Sequence, residues 1–314
     1  MSGKGARGHP KDMFKGPSSW NRLKTANEDP LDSVGLPSRG DDRLLDPKAQ
    51  ERYYTSIVKR YMTFCSTAGE RDVLLRRFAS LDVAFPEPAA SGSRQSPEYN
   101  IKMATAPGTS AEITGPHDMV ALSSVLAALR KLREGIVGSK RADEFAVQVY
   151  MFCIRLAILV KQPEAYHPAI QYLLRIIHPM QPLTPVELSE VVSYLVLDAA
   201  CRRGALAEAY ATRTMWNLKD IKVNAVVETV VHDDFVNFFR LLRKVDGHKA
   251  RLMEWAEPGI RRHALKCLGK CYLTIDRQFL ERVTSRNWDI LIKEDGLGWE
   301  LEGSRVIIRR VIKK

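Results

Sequence analysis

Gly298-Trp299-Glu300-Leu301-Glu302-Gly303-Ser304-Arg305-Val306-Ile307-Ile308-Arg309 is the stretch that decides the fold. It reads as two short strands, 298–302 and 305–309, around a tight turn at Gly303-Ser304. No strand pattern occurs before residue 298. Three helical segments lead into the hairpin. The first covers 259–273, with Ile260, Ala264, Leu265, Cys267, Leu268 and Cys271 facing inward; the second covers 275–283, capped by Thr274; the third covers 286–293. Three helices followed by a two-stranded wing make a winged helix, with Trp299 anchoring the wing on its helices. Strands this short leave an edge open unless a neighbour pairs with it.

Upstream, helical periodicity is continuous. A helix starts at Asp118 as N-cap and runs to Gly135, with Leu122, Val125, Leu126, Leu129 and Leu132 on one side. Others cover 142–161 and 164–177. Thr184-Pro185-Val186-Glu187 is a capping box with proline in the first helical position, opening a helix that ends at Gly204. Further helices cover 205–218, 220–231, 233–244 and 248–255. The expected fold is therefore mainly α: a right-handed stack of helix pairs over 118–257, continuing into a C-terminal winged helix over 258–314.

The N-terminal third divides into three parts. Residues 1–48 have no periodic apolar pattern and read as a disordered basic tail. Within it, Phe14 and Trp20 stand out as candidate partner-binding anchors, against the plainer reading of two incidental aromatics. Residues 49–83 read as N-terminal helices. Tyr54, Ile57, Val58, Tyr61, Met62 and Cys65 share one face of the first, Gly69 stops it, and a short helix comes next over 71–81. Residues 84–117, rich in Pro, Ala, Ser and Gly, read as a flexible linker.

Composition narrows the function. The chain of 314 residues is 45% hydrophobic and 27% charged, ordinary for a globular protein. The most apolar segment, 145–160, is interrupted by Arg155, so no membrane span is expected. Residues 1–10 have no apolar core of a secretory signal. Five scattered cysteines and no Asn-x-Ser/Thr sequon fit a reducing compartment, hence nuclear and/or cytoplasmic localisation. The net charge of +11 is concentrated at the C-terminus, where 258–314 carries 13 Lys/Arg against 7 Asp/Glu.

Catalytic chemistry finds little support. Gly3-Lys4-Gly5-Ala6-Arg7-Gly8 satisfies a dinucleotide-binding pattern but has neither a strand before it nor a helix after it. His263, Cys267 and Cys271 fall at i, i+4 and i+8, whose ends lie about 12 Å apart, too far for one zinc ion; a packed apolar stripe is the simpler reading. His232-Asp233-Asp234 lacks a partnered nucleophile, and Asp233 reads as a helix N-cap. No catalytic, cofactor or metal residue and no small-molecule substrate is expected. The constellation worth weighing is a basic face of Arg277, Arg282, Arg286, Lys293, Arg305, Arg309 and Arg310, which contacts nucleic acid or a partner, or is merely solvated.

Two motifs carry a family resemblance. Asp234-Phe235-Val236-Asn237-Phe238-Phe239-Arg240-Leu241-Leu242 looks like a helix of the form Phe-Phe-Arg-Leu. Ile260-Arg261-Arg262-His263-Ala264-Leu265-Lys266-Cys267-Leu268-Gly269-Lys270-Cys271-Tyr272 looks like a winged-helix opening in which Arg, Ala-Leu and a later Tyr recur. Together with the order of elements, residues 185–312 resemble the PCI domain of the proteasome lid, the COP9 signalosome and translation initiation factor three, most closely its SAC3/GANP branch. The resemblance implies a non-catalytic scaffold in a multisubunit assembly for messenger-RNA export or gene expression, whose winged helix meets RNA or a neighbouring subunit. The chain ends directly after the wing, without the C-terminal helix that many lid-type subunits add. A winged-helix DNA-binding regulator is the alternative from another class; the third helix offers it only Asn287, Asp289 and Lys293 among apolar residues.

Overall fold

The computed structural model describes residues 31–68 and 116–310. Phe14, Trp20, the 71–81 helix and nearly all of the 84–117 linker lie outside the described residues. The protein is mainly helical, with a small antiparallel sheet near its C-terminus. None of the described helices is long and apolar enough to cross a membrane.

Residues 31–46, expected from sequence to be tail, are part of the folded body. Leu31 and Leu44 are fully buried in the main core, and two 3-10 turns, Pro37–Arg39 and Asp42–Leu45, hold the segment against the first two long helices. Only these two leucines are buried in it, too few to produce an apolar period.

α1 (Pro47–Ala68) packs along α2 (Pro116–Gly138). Its buried row is Gln50, Tyr53, Ile57 and Phe64, whereas Met62, expected inside, is 61% exposed. α1 serves two neighbours, which a single helical period merges. Tyr53 and Ile57 belong to the buried row; Tyr54 and Tyr61 meet Phe145 and Phe152 of α3 (Glu144–Leu159) edge to face, at 5.6 and 5.2 Å. Gln50 is buried without penalty because its Nε2 donates to the Leu44 carbonyl at 2.8 Å and to Ser139 Oγ at 3.0 Å.

Gly135 does not end α2, which runs three residues further. Its Cα hydrogen faces Leu44, and a Cβ there would lie 2.6 Å from the Leu44 carbonyl oxygen. The glycine permits close approach rather than termination. Gly135→Ala is therefore expected to destabilise by about 1–3 kcal/mol through overpacking, despite alanine's better helix propensity. Urea unfolding measures this, and a stabilised variant would remove the 31–46 segment from the core.

α4 (Pro163–Tyr172) widens into a π turn at Leu173–Ile177 and ends in His178–Met180. α5 (Pro185–Leu197) has the expected capping box: Thr184 Oγ1 accepts from Glu187 N, and Glu187 accepts from Thr184 N. It too widens into a π turn, Asp198–Arg202, before Gly204 at φ 64°. Next come α6 (Leu206–Met215), α7 (Ile221–Val231), α8 (Phe235–Leu242) and α9 (Gly247–Met253). α3 packs on α4, α5 on α6 and α7 on α8, while α9 returns to touch α3 and α5. Asp234, not Asp233, caps α8 by accepting from Asn237 N at 3.0 Å; Asp233 takes φ 53° in the turn before it.

The C-terminal module comprises α10 (Glu257–Cys271), β1 (Thr274–Asp276), α11 (Arg277–Thr284), α12 (Trp288–Lys293), β2 (Glu300–Glu302) and β3 (Arg305–Ile307). β1 is a correction to the sequence reading. Thr274 opens a strand instead of capping a helix, and Asp276 supplies the cap by accepting from Phe279 N at 3.0 Å. The sheet is therefore three-stranded, in order β1-β3-β2, with Ile275 and Leu301 both opposite the buried Val306. A three-residue strand shows no alternation long enough to read, so only its tertiary partner reveals it. A second core of Leu265, Leu268, Ile275, Leu280, Val283, Trp288, Leu291 and Val306 fills the module, with Trp299 packed against it. Cys267 is only half-buried and Cys271 is exposed, so neither belongs to the fully buried stripe of α10. That stripe is Ile260, Arg261, Ala264, Leu265 and Leu268.

Candidate interaction surface

The C-terminal module grows out of the helical region through a joint rather than a tether. Phe235 packs against both cores. Phe239, 1% exposed, meets Phe238 edge to face at 5.6 Å, and the Arg261 guanidinium lies over its ring at 5.7 Å. Arg261 is itself 1% exposed. Its Nε donates to the Thr284 carbonyl at 3.1 Å, one of the unpaired carbonyls at the end of α11, and it is ion-paired with Glu257. Burial pushes the Arg261 pKa below its usual value, opposed by the Glu257 charge. A second tie runs from Arg243 Nη1 to Ser285 Oγ at 3.3 Å. Counting charges along the sequence does not single out Arg261. Its register does carry a signal, since 257, 261, 264, 265 and 268 share a face and an arginine stands among apolar residues there.

The sheet presents its outer face as two cross-strand rows. Arg305 lies opposite Asp276 on one side and Glu302 on the other, and Ile307 lies between Thr274 and Glu300. β1 and β2 are the outer strands and β3 is central.

Most of the seven cations expected to form one basic face are engaged within the module. Arg277 Nε pairs with Glu281 at 3.0 Å. The Glu281 carboxyl accepts from Trp288 N and from Arg277, which together hold it below the usual carboxylate pKa. Arg286 pairs with Glu294. Arg310 bridges Glu300 at 2.6 Å and Glu302 at 2.9 Å, and the hydrogen bond to Glu300 leads in raising its pKa. Arg309 Nη2 donates to the Gly269 carbonyl at 2.8 Å, and Arg282 stacks over Phe279 at 5.8 Å. Lys293 and Arg305 have no ion pair among the described residues. Acidic neighbours 276, 281, 294, 300 and 302 thus interleave with the cations, a pattern invisible when the seven are counted along the chain.

Cys267 Sγ lies 3.3 Å from His263 Nε2, while Cys271 stands a turn away and exposed. Among the described residues no three His, Cys, Asp or Glu side chains come together to hold a metal ion. α12 buries Trp288 and Leu291 and exposes Asp289, Ile290, Ile292 and Lys293.

Comparison with known protein families and with curated proteins finds no match to this chain.

Proposed function

We propose that the protein is a non-catalytic PCI-type scaffold of the SAC3/GANP-like kind, a right-handed helical stack that continues into a winged helix and joins a larger assembly in messenger-RNA metabolism or gene expression. The observation that carries this reading is the joint of Phe235, Phe239 and Arg261, which couples the Phe-Phe-Arg-Leu helix to the first helix of the C-terminal module. A fused pair of this kind presents partners with one rigid surface. The helical stack holds one protein neighbour, and the outer strands β1 and β2 pair with another. RNA is a further contact of the winged helix. Subunits of the small proteasome-lid, COP9-signalosome or initiation-factor type are the nearest alternative roles within the same class. A winged-helix DNA regulator is less well supported, because α12 exposes Asp289, Ile290 and Ile292 where base-reading side chains are needed.

Native-abundance tagged protein run on a sizing column at low salt is expected to elute well above the size of the single chain; elution as a lone monomer would contradict the scaffold role. Replacing Arg305 and Arg309 with glutamine is expected to shift the thermal midpoint by no more than roughly 2 °C, since both side chains are exposed and no carboxylate is added opposite Asp276 and Glu302. The same replacement should release a protein partner from the assembly. An unchanged assembly would remove these two arginines from the contact surface.

A further inference from the structure

The module carries a second cationic surface that the seven-residue constellation does not include. Arg262, Lys266 and Lys270 fall at i, i+4 and i+8 of α10, all exposed. None of their side chains forms an ion pair or hydrogen bond with a described residue. At 1.5 Å of rise per residue they make a row about 12 Å long along the axis, with one charge per ~6 Å, that winds about 80° around the helix. The only acid on α10 is Glu257, and it is engaged by Arg261. Like charges at i, i+4 repel, so a merely solvated helix face gains by interposing glutamates. This one has none. Just past the last helical turn, Tyr272 and Leu273 are 49% and 51% exposed. Arg309, hydrogen-bonded to Gly269 and through its backbone to Leu273, brings a fourth cation to the same end.

We propose that this face of α10 is a track for the sugar-phosphate backbone of single-stranded nucleic acid, with Tyr272 as the platform on which a base stacks. A row of unpaired cations on a helix whose C-terminal end carries an exposed aromatic ring suits a single strand, whose unpaired bases are free to stack. The sheet face is the poorer candidate for phosphate, because Asp276 and Glu302 flank Arg305. The inference deepens the RNA contact of the proposed function and is independent of the scaffold role.

The test is fluorescence anisotropy of the full chain with labelled oligouridylate and oligothymidylate of about twelve nucleotides. Binding is expected to weaken with salt between about 50 and 200 mM, with a log–log slope of roughly −2 to −3 for three or four phosphates at about −0.7 each. Neutralising the row (Arg262→Gln, Lys266→Gln, Lys270→Gln) should weaken binding at least about tenfold and flatten the slope to roughly −1 or less. Tyr272→Ala should weaken it about fivefold or more at unchanged slope. Circular dichroism melting confirms that the variants fold. Equal binding of the two oligonucleotides marks a backbone track, and a preference for RNA adds the 2′-hydroxyl; both support the proposal. Loss of binding on Arg305→Glu with the α10 variant unaffected would keep the RNA contact and overturn its place on α10. Absence of binding to either oligonucleotide, or tighter binding of a polyglutamate peptide than of both, would overturn the nucleic-acid role altogether.

Discussion

Phe239→Ala is expected to lower the unfolding free energy by about 3–5 kcal/mol, the range for emptying a fully buried phenylalanine site. The ring is 1% exposed, packs edge to face on Phe238 and lies under the Arg261 guanidinium. Its removal leaves a cavity and also strips a buried cation of the ring face that partly offsets its desolvation. Arg261, fastened to the Thr284 carbonyl of α11, holds α10 back from collapsing into the gap. Phe279, 39% exposed on α11, provides the control, and its alanine variant should lose less than about 1 kcal/mol. Urea denaturation of both variants checks the pair. A loss below about 1 kcal/mol for Phe239→Ala would mean that the joint does not bear on folding.

Asp198→Ala is expected to cost a similar amount, about 3–5 kcal/mol, the usual result of removing one partner from a buried charge cluster. The Asp198 side chain is 0% exposed. It accepts from Tyr166 Oη at 2.6 Å, from Arg202 Nε at 2.6 Å and from Arg203 Nε at 3.0 Å. Without it, the Tyr166 hydroxyl and the partly buried Arg202 guanidinium lose their acceptor, and Arg203 keeps only Glu208. The same cluster sets a pH dependence. Burial pushes the Asp198 carboxyl upward, but the hydrogen bonds from Arg202 and Tyr166 and the charges of Arg202 and Arg203 outweigh it and hold the pKa below the usual value. A carboxylate with a depressed native pKa contributes its full stabilisation above the unfolded value, about 3.9, and loses it as pH falls through the native one. Wild-type stability should therefore fall more steeply below about pH 4 than that of Asp198→Asn. Parallel acid limbs in the two proteins would remove Asp198 from the account.

How far the sequence is legible depends on whether the deciding signal is local. The Thr184–Glu187 capping box and the apolar register of Leu122, Val125, Leu129 and Leu132 are local, and each has its structural counterpart. So is the turn at Gly303, which adopts φ 60°. Signals that live in tertiary contact mislead. Gly135 looks like a helix stop but is shaped by Leu44, some ninety residues earlier. Thr274 has the composition of a cap, yet it pairs with Ile307. Asp198, with arginines four and five residues on, resembles a solvated ion pair until burial of α5 places it in the interior. The candidate surface is the least legible part. Cations are easily counted along a chain, but the carboxylates that neutralise Arg277, Arg286 and Arg310 come from other turns and strands. The unpaired row on α10 is easily missed because the apolar side of that helix dominates its pattern.

Native-state hydrogen exchange tests the central claim most directly, that the helical region and the C-terminal module form one body through Phe239 and Arg261. Amides of α7 and α8 on one side, and of α10 and α11 on the other, are predicted to open with the same free energy and to fall together in Phe239→Ala. Opening of α10 and α11 at a much lower free energy, with α7 and α8 still protected, would show two separately folding pieces and contradict the account.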